Sequence, residues 1–209
     1  MNPALKQSFI RELRSLVPTR PLTLGESYTL AERQASAALA LLDLTQPHVP
    51  LDWILDLPKV EVELVPRFRM ESWSGATSFT SGRYLILINK HESHARRRFT
   101  LTHEFKHLLD YTAAPTLHRK LGYGDTVKQE QQIEAICNHF AACLLMPRAW
   151  IKREWMAGIQ DVSALAGSFN VSEEAMDKRL RFLGFLDDNT RPLKTYFRLS
   201  ATPELGIAA

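Results

Sequence analysis

The 209-residue chain has no apolar run approaching the roughly 18–20 residues of a membrane span, and its first residues, MNPALKQSFIRELRSLVP, lack the apolar centre of a signal peptide. Cysteine is nearly absent. The two present, Cys137 and Cys143, fall within one helical pattern, where about 100° per residue sets them on opposed sides, so they cannot bridge each other with the helix intact. That excludes a disulfide framework, and a cytoplasmic protein is the expectation. Charge of one sign is also lacking: 26 basic residues stand against 23 acidic ones, and a net charge of +3 is too slight to argue for nucleic acid by itself. Repeats and low-complexity tracts are missing. What is there, 45% hydrophobic and 23% charged residues, suits a chain with one sizeable core.

Hydrophobic spacing divides the chain. Leu5, Phe9, Leu13 and Leu16 predict a first helix, and an Ala- and Leu-rich helix follows from about Glu26 to Leu44. LDWILDL predicts a short helix before Pro58. KVEVELV then changes to period two, with Val60, Val62 and Leu64 on one face of a strand. GATSF and YLILIN flank TSGR as a hairpin. Residues 97–111 and 127–146 predict two helices, the second ended by Pro147, and 150–186 is helical again with a break at SFNVS. The expected class is α+β: a small antiparallel sheet packed on helices, with a C-terminal helical segment. The expected divisions are N-terminal helices over 1–45, a core over 46–150, a helix-turn-helix-like segment over 151–186 and a tail over 187–209.

The chemistry gathers in FTLTHEFKHLLDY. Residues i and i+4 of a helix stand one above the other, so His103 and His107 can offer two imidazoles to one metal, while Glu104 lies beside it as a proton acceptor. Alone, this five-residue pattern is only moderately specific. A catalytic zinc needs a third protein ligand and an open position. The helix EQQIEAICNHFAACLLMP offers Glu130, Glu134, Cys137 and His139. His139 lies about 140° round the helix from Glu134, so the two cannot serve one metal. Cys137 reads as a small core residue. Glu130, one turn before Glu134 on nearly the same face, competes with it, although a first-turn glutamate also simply favours the helix dipole.

Together, RRFTLTHEFKHLL and EAICNHFAACLLMP resemble the ImmA/IrrE metallopeptidase family of bacteria and their mobile elements. Arg98-Phe99-Thr100, the His-Glu-Phe-Lys-His core, Glu134, Asn138, Phe140, Ala141, Leu144, Leu145 and Pro147 fall in register with its signature. Weaker likeness extends over about residues 35–186. The departures are Cys137, where alanine is usual, and Phe105-Lys106, where a glycine often precedes the second histidine; neither is expected to touch a ligand. The resemblance implies one Zn²⁺ per chain (with Mn²⁺ as the alternative) in a gluzincin-like site with Glu134 as third ligand. Glu104 would be the catalytic base. Tyr111, His118 and Tyr123 are within sequence reach to stabilise an oxyanion, and Asn138 to orient a ligand or brace two helices.

The family's implied function is endopeptidase cleavage of a specific partner, a helix-turn-helix transcriptional repressor encoded nearby, in a stress or mobile-element switch. The strands at 75–79 and 84–89 offer an edge for an extended peptide. The alternative is a non-proteolytic, zinc-containing DNA- or protein-binding regulator, for which DVSALAGSFNVSEEAMDKRLRFLGF supplies a helix-turn-helix pattern. Glu173, Glu174 and Asp177 dilute its basic charge, and Leu165, Phe169, Val171, Met176, Leu180 and Leu183 read as packing residues. No strong case for nucleic acid follows. Arg179 and Arg181 are instead expected on the exposed face, available to an acidic patch of a protein partner.

Overall fold

The computed structural model describes residues 3–66 and 73–186; the tail over 187–209 lies outside them. Two helices come first, α1 (Pro3–Ser15) and α2 (Leu24–Leu41), followed by the short α3 (Asp52–Leu55) and the strands β1 (Val60–Val65), β2 (Gly75–Thr80) and β3 (Arg83–Asn89). Helices α4 (His94–Asp110), α5 (Ala114–Leu117), α6 (Thr126–Leu145), α7 (Arg148–Met156), α8 (Val162–Phe169) and α9 (Glu173–Phe182) complete the order. The α+β class is as expected. The sheet is mixed, however, where a wholly antiparallel one was expected: its order is β1-β3-β2, with β2 antiparallel and β1 parallel to β3. The β2–β3 hairpin turns on Ser81 and Gly82, both at positive φ, the two-residue geometry whose twist matches paired strands. β1 joins the other side of β3 through a longer connection, and a parallel partner is free to do so.

Helix boundaries follow their caps. Thr23 and Glu26 form a reciprocal capping box at α2, Ser93 accepts from Arg96 N at α4, and Asp125 from Lys128 N at α6. β3 sends Tyr84, Ile86 and Ile88 into the core at period two. One hydrophobic cluster runs from Phe9 and Leu13 through Ala35, Trp53, Phe105, Phe140 and Leu144 to Phe169, Met176 and Leu180. The residues expected to pack α8 and α9 do so within this same core.

Two arginines tie the ends of α4. Arg14, on α1, donates from Nη2 to the Leu108 carbonyl at 2.6 Å and from Nε to that of Leu109 at 3.1 Å, satisfying carbonyls that a helix end leaves free. Arg98, 8% exposed, donates to Val49 O at 2.8 Å and Asn170 O at 3.1 Å, joining the first turns of α4 to the α8–α9 turn. The charges expected on the exposed face of α9 are not free. Arg179 is buried and donates to Met146 O at 3.1 Å at the end of α6, and Arg181 pairs with Asp177 one turn back. A long stem lets Arg179 lie along apolar surface while its head meets a carbonyl.

Candidate metal centre

α4 turns one face toward the third turn of α6. There His103 and His107 bring their Nε2 atoms to 3.1 Å from each other. Glu134 places Oε2 3.2 Å from His103 Nε2 and Oε1 3.2 Å from His107 Nε2. Glu130, one turn earlier, is exposed. Ligands about 2.0–2.2 Å from a tetrahedral zinc stand roughly 3.3 Å apart, so these three donors fit one such cation. Asn138 Oδ1 lies 2.9 Å from His103 Nδ1, which fixes that nitrogen as the N–H and leaves Nε2 with its lone pair, the tautomer a metal ligand needs. Burial works to raise the Glu134 carboxyl, but the facing His103 and His107 rings outweigh it and hold the group well below the usual carboxylate range.

Cys137 is closer than expected. Its thiol is in hydrogen-bonding contact with the His107 side chain, and a donor atom from each of His103, His107 and Cys137 falls within 4.8 Å of the others. From Glu134, Cys137 and Asn138 are three and four residues on, so all three share the α4-facing side of α6. Burial raises the Cys137 thiol above its ordinary range, with His107 opposing. Glu134 faces both histidines, one carboxylate oxygen 3.2 Å from each ring.

Glu104 is 6% exposed and faces β2. The Thr77 hydroxyl stands 2.8 Å from Glu104 Oε2 and 3.1 Å from its backbone carbonyl, so it donates to this residue. The approach of α4 to β2 depends on Gly75: a Cβ there would lie 2.4 Å from Thr100 Cγ2 and 2.9 Å from Glu104 Oε1. Neither Thr77 nor Gly75 was singled out in the sequence, where the only signal was a small-residue strand beside the histidine helix.

The remaining candidates scatter. His118 is buried and directs Nε2 at Asp110 Oδ2, 3.5 Å away, rather than at the histidine pair. Tyr111, half-exposed, stacks with Phe79 and Tyr84 at 5.3 and 5.7 Å between ring centres. Tyr123 is 87% exposed and stands beside Lys128.

A family model, the IrrE N-terminal-like domain of a peptidase family, matches residues 64–181, more than half of the chain. The chain belongs to that family. Its matched span, from a peptidase family, contains both histidines, Glu104, Thr77 and Glu134. Among solved structures, a Mycobacterium tuberculosis transcriptional regulator is similar at a TM-score of 0.58 and 13% identity, covering 81% of this chain and 50% of its own. That likeness shows the fold alone, and this chain spans about half of that regulator's length. The curated proteins yield no match. Among the described residues no helix is long and apolar enough to cross a membrane.

Proposed function

We propose that the protein is a zinc-dependent endopeptidase that cleaves one protein partner, a helix-turn-helix repressor, with His103, His107 and Glu134 as metal ligands and Glu104 as general base. The observation that carries this reading is the convergence of three donors at 3.1–3.2 Å beside a carboxylate that Thr77 holds in place. When bound, the metal supplies a Lewis acid that polarises a carbonyl and eases ionisation of water.

The chain's own residues supply the rest. Thr77 engages Glu104 Oε2, which leaves Oε1, above the bare face of Gly75, as the oxygen free to take a proton from the attacking water. Glu104 then returns that proton to the leaving amine. Asn138 keeps His103 Nδ1 engaged, so the ring cannot swing. The edge of β2 would hold the substrate backbone extended, giving affinity with little sequence demand; choice of partner then needs a second contact.

The test pairs wild type and Glu104→Gln against a helix-turn-helix repressor, sought first among the neighbouring genes. Wild type should cut it at one or very few sites and leave casein intact. Glu104→Gln should keep its metal and lose about 10²–10⁴-fold in rate, the usual contribution of a positioned base. If Glu104→Gln relieves repression as well as wild type does, the protein is a non-catalytic regulator.

A further inference from the structure

A second group of ligand-type side chains lies outside the centre above. Glu32 on α2, His139 and Cys143 on α6 bring one donor atom each within 4.8 Å of one another. His139 Nε2 is 3.0 Å from Glu32 Oε1 and 3.5 Å from Cys143 Sγ. His139 and Cys143 are 8% and 7% exposed, while Glu32 opens to solvent.

The same ring nitrogen meets both partners, and this decides what the group is for. In a thiol nucleophile–base–carboxylate arrangement the thiol and the carboxylate engage opposite nitrogens of the imidazole. Here both face Nε2, whose single proton or lone pair can serve only one of them. A cation seated among the three would satisfy all at once. Zinc bonds of about 2.3 Å to sulfur and 2.0–2.1 Å to nitrogen, at tetrahedral angles, place those atoms roughly 3.5 Å apart, and the sulfur–nitrogen separation here agrees. We propose that Glu32, His139 and Cys143 form a second metal site, for a borderline-soft divalent cation such as Zn²⁺, that clamps α2 to α6.

The surroundings suit a site of this kind. Tyr28 packs at 4.7 Å and Phe182 at 5.1 Å from the His139 ring, holding it in place. Burial lowers the basicity of His139, which favours the neutral imidazole a ligand must be. Burial raises the Cys143 thiol, and Arg179, in contact with it, acts in the opposite direction and stabilises the thiolate. On binding, the Cys143 S–H proton leaves to solvent and a metal–sulfur bond forms, with no change of oxidation state. The metal's +2 then meets one thiolate, one carboxylate and the adjacent Arg179 guanidinium, itself held on the Met146 carbonyl, for a net +1 at the site. Three protein ligands leave one position open on the solvent side, beside Glu32.

Cobalt distinguishes this site from the first, because a thiolate ligand gives a sulfur-to-cobalt charge-transfer band that a His/His/Glu centre lacks. Co²⁺ is titrated into chelator-treated protein carrying His103→Ala and His107→Ala, so that failure of the first site cannot disturb the readout. One Co²⁺ per chain and the band are expected. Adding Cys143→Ala should abolish the band, and adding Cys137→Ala should preserve it. Glu32→Gln, at an exposed position that cannot unfold the core, should weaken Co²⁺ binding by at least the roughly tenfold that loss of even an outer partner costs. Absence of the band from the parent, its survival in Cys143→Ala, or its loss in Cys137→Ala overturns the proposal.

Discussion

Moving one carboxylate by a single helical turn would dismantle the proposed metal centre, because Glu130 and Glu134 share nearly one face of α6. Only Glu134 reaches both histidines. Glu134→Gln should therefore weaken metal binding by about tenfold or more, while Glu130→Gln leaves it unchanged. Isothermal titration of chelator-treated Cys143→Ala protein with Zn²⁺ reads both at the first site alone, and metal loss in the Glu130 variant alone would shift the ligand assignment to the other turn. At this scale the sequence was informative wherever spacing along one helix set the geometry. His103, Glu104 and His107 were legible because i and i+4 positions meet regardless of what packs around them. Thr77 was not, since its contact with Glu104 crosses 27 positions from strand to helix. Glu32 was hidden for the same reason, 107 positions from His139. Arg179 misled because its charge suggested solvent, and the carbonyl that buries it belongs to another element.

Helix α4 carries a second, buried set of polar contacts beside its histidine face. Lys106, fully buried, donates to Gln34 Oε1 of α2 at 2.8 Å and to Asp110 Oδ1 at 2.5 Å. This residue occupies the place where a glycine was the commoner expectation, and it joins α4 to α2 through hydrogen bonds rather than close backbone approach. Burial works to raise the Asp110 carboxyl, but Lys106 and His118 prevail and lower it. With the folded value depressed, Asp110 contributes stability above the unfolded value of 3.8, and that contribution disappears as pH falls through the lower folded value. Asp110→Ala strands a buried ammonium and should cost about 3–5 kcal/mol in urea unfolding at neutral pH, with the deficit shrinking below about pH 4. A pH-independent deficit would mean lost packing instead. Element order and type were legible from period and caps; the parallel pairing of β1 was not, because strand direction depends on where a long connection returns.

At the scale of the molecule, the main core joins the N-terminal helices, the sheet and the C-terminal helices, and β2 lies at the end of the sheet order with Thr77 against Glu104. Among the described residues no strand pairs with the outer side of β2. A strand edge accepts only chain that is already stretched, at about 3.3 Å per residue. A helix-turn-helix partner keeps its backbone coiled, so the stretch to be cut must first come loose from its own fold. Under the proposed function, cleavage then samples the partner's rare open state, and its rate follows the population of that state when opening is fast. Repressor variants whose target segment is stabilised by about 1.4 kcal/mol, judged by hydrogen exchange, should be cut about tenfold more slowly at unchanged binding affinity. Equal rates across such a series would rule out capture at the strand edge. On that proposed reading the switch would need no separate sensor: whatever loosens the repressor, whether heat, a lost ligand or release from DNA, would mark it for destruction, and the peptidase itself would perceive no signal.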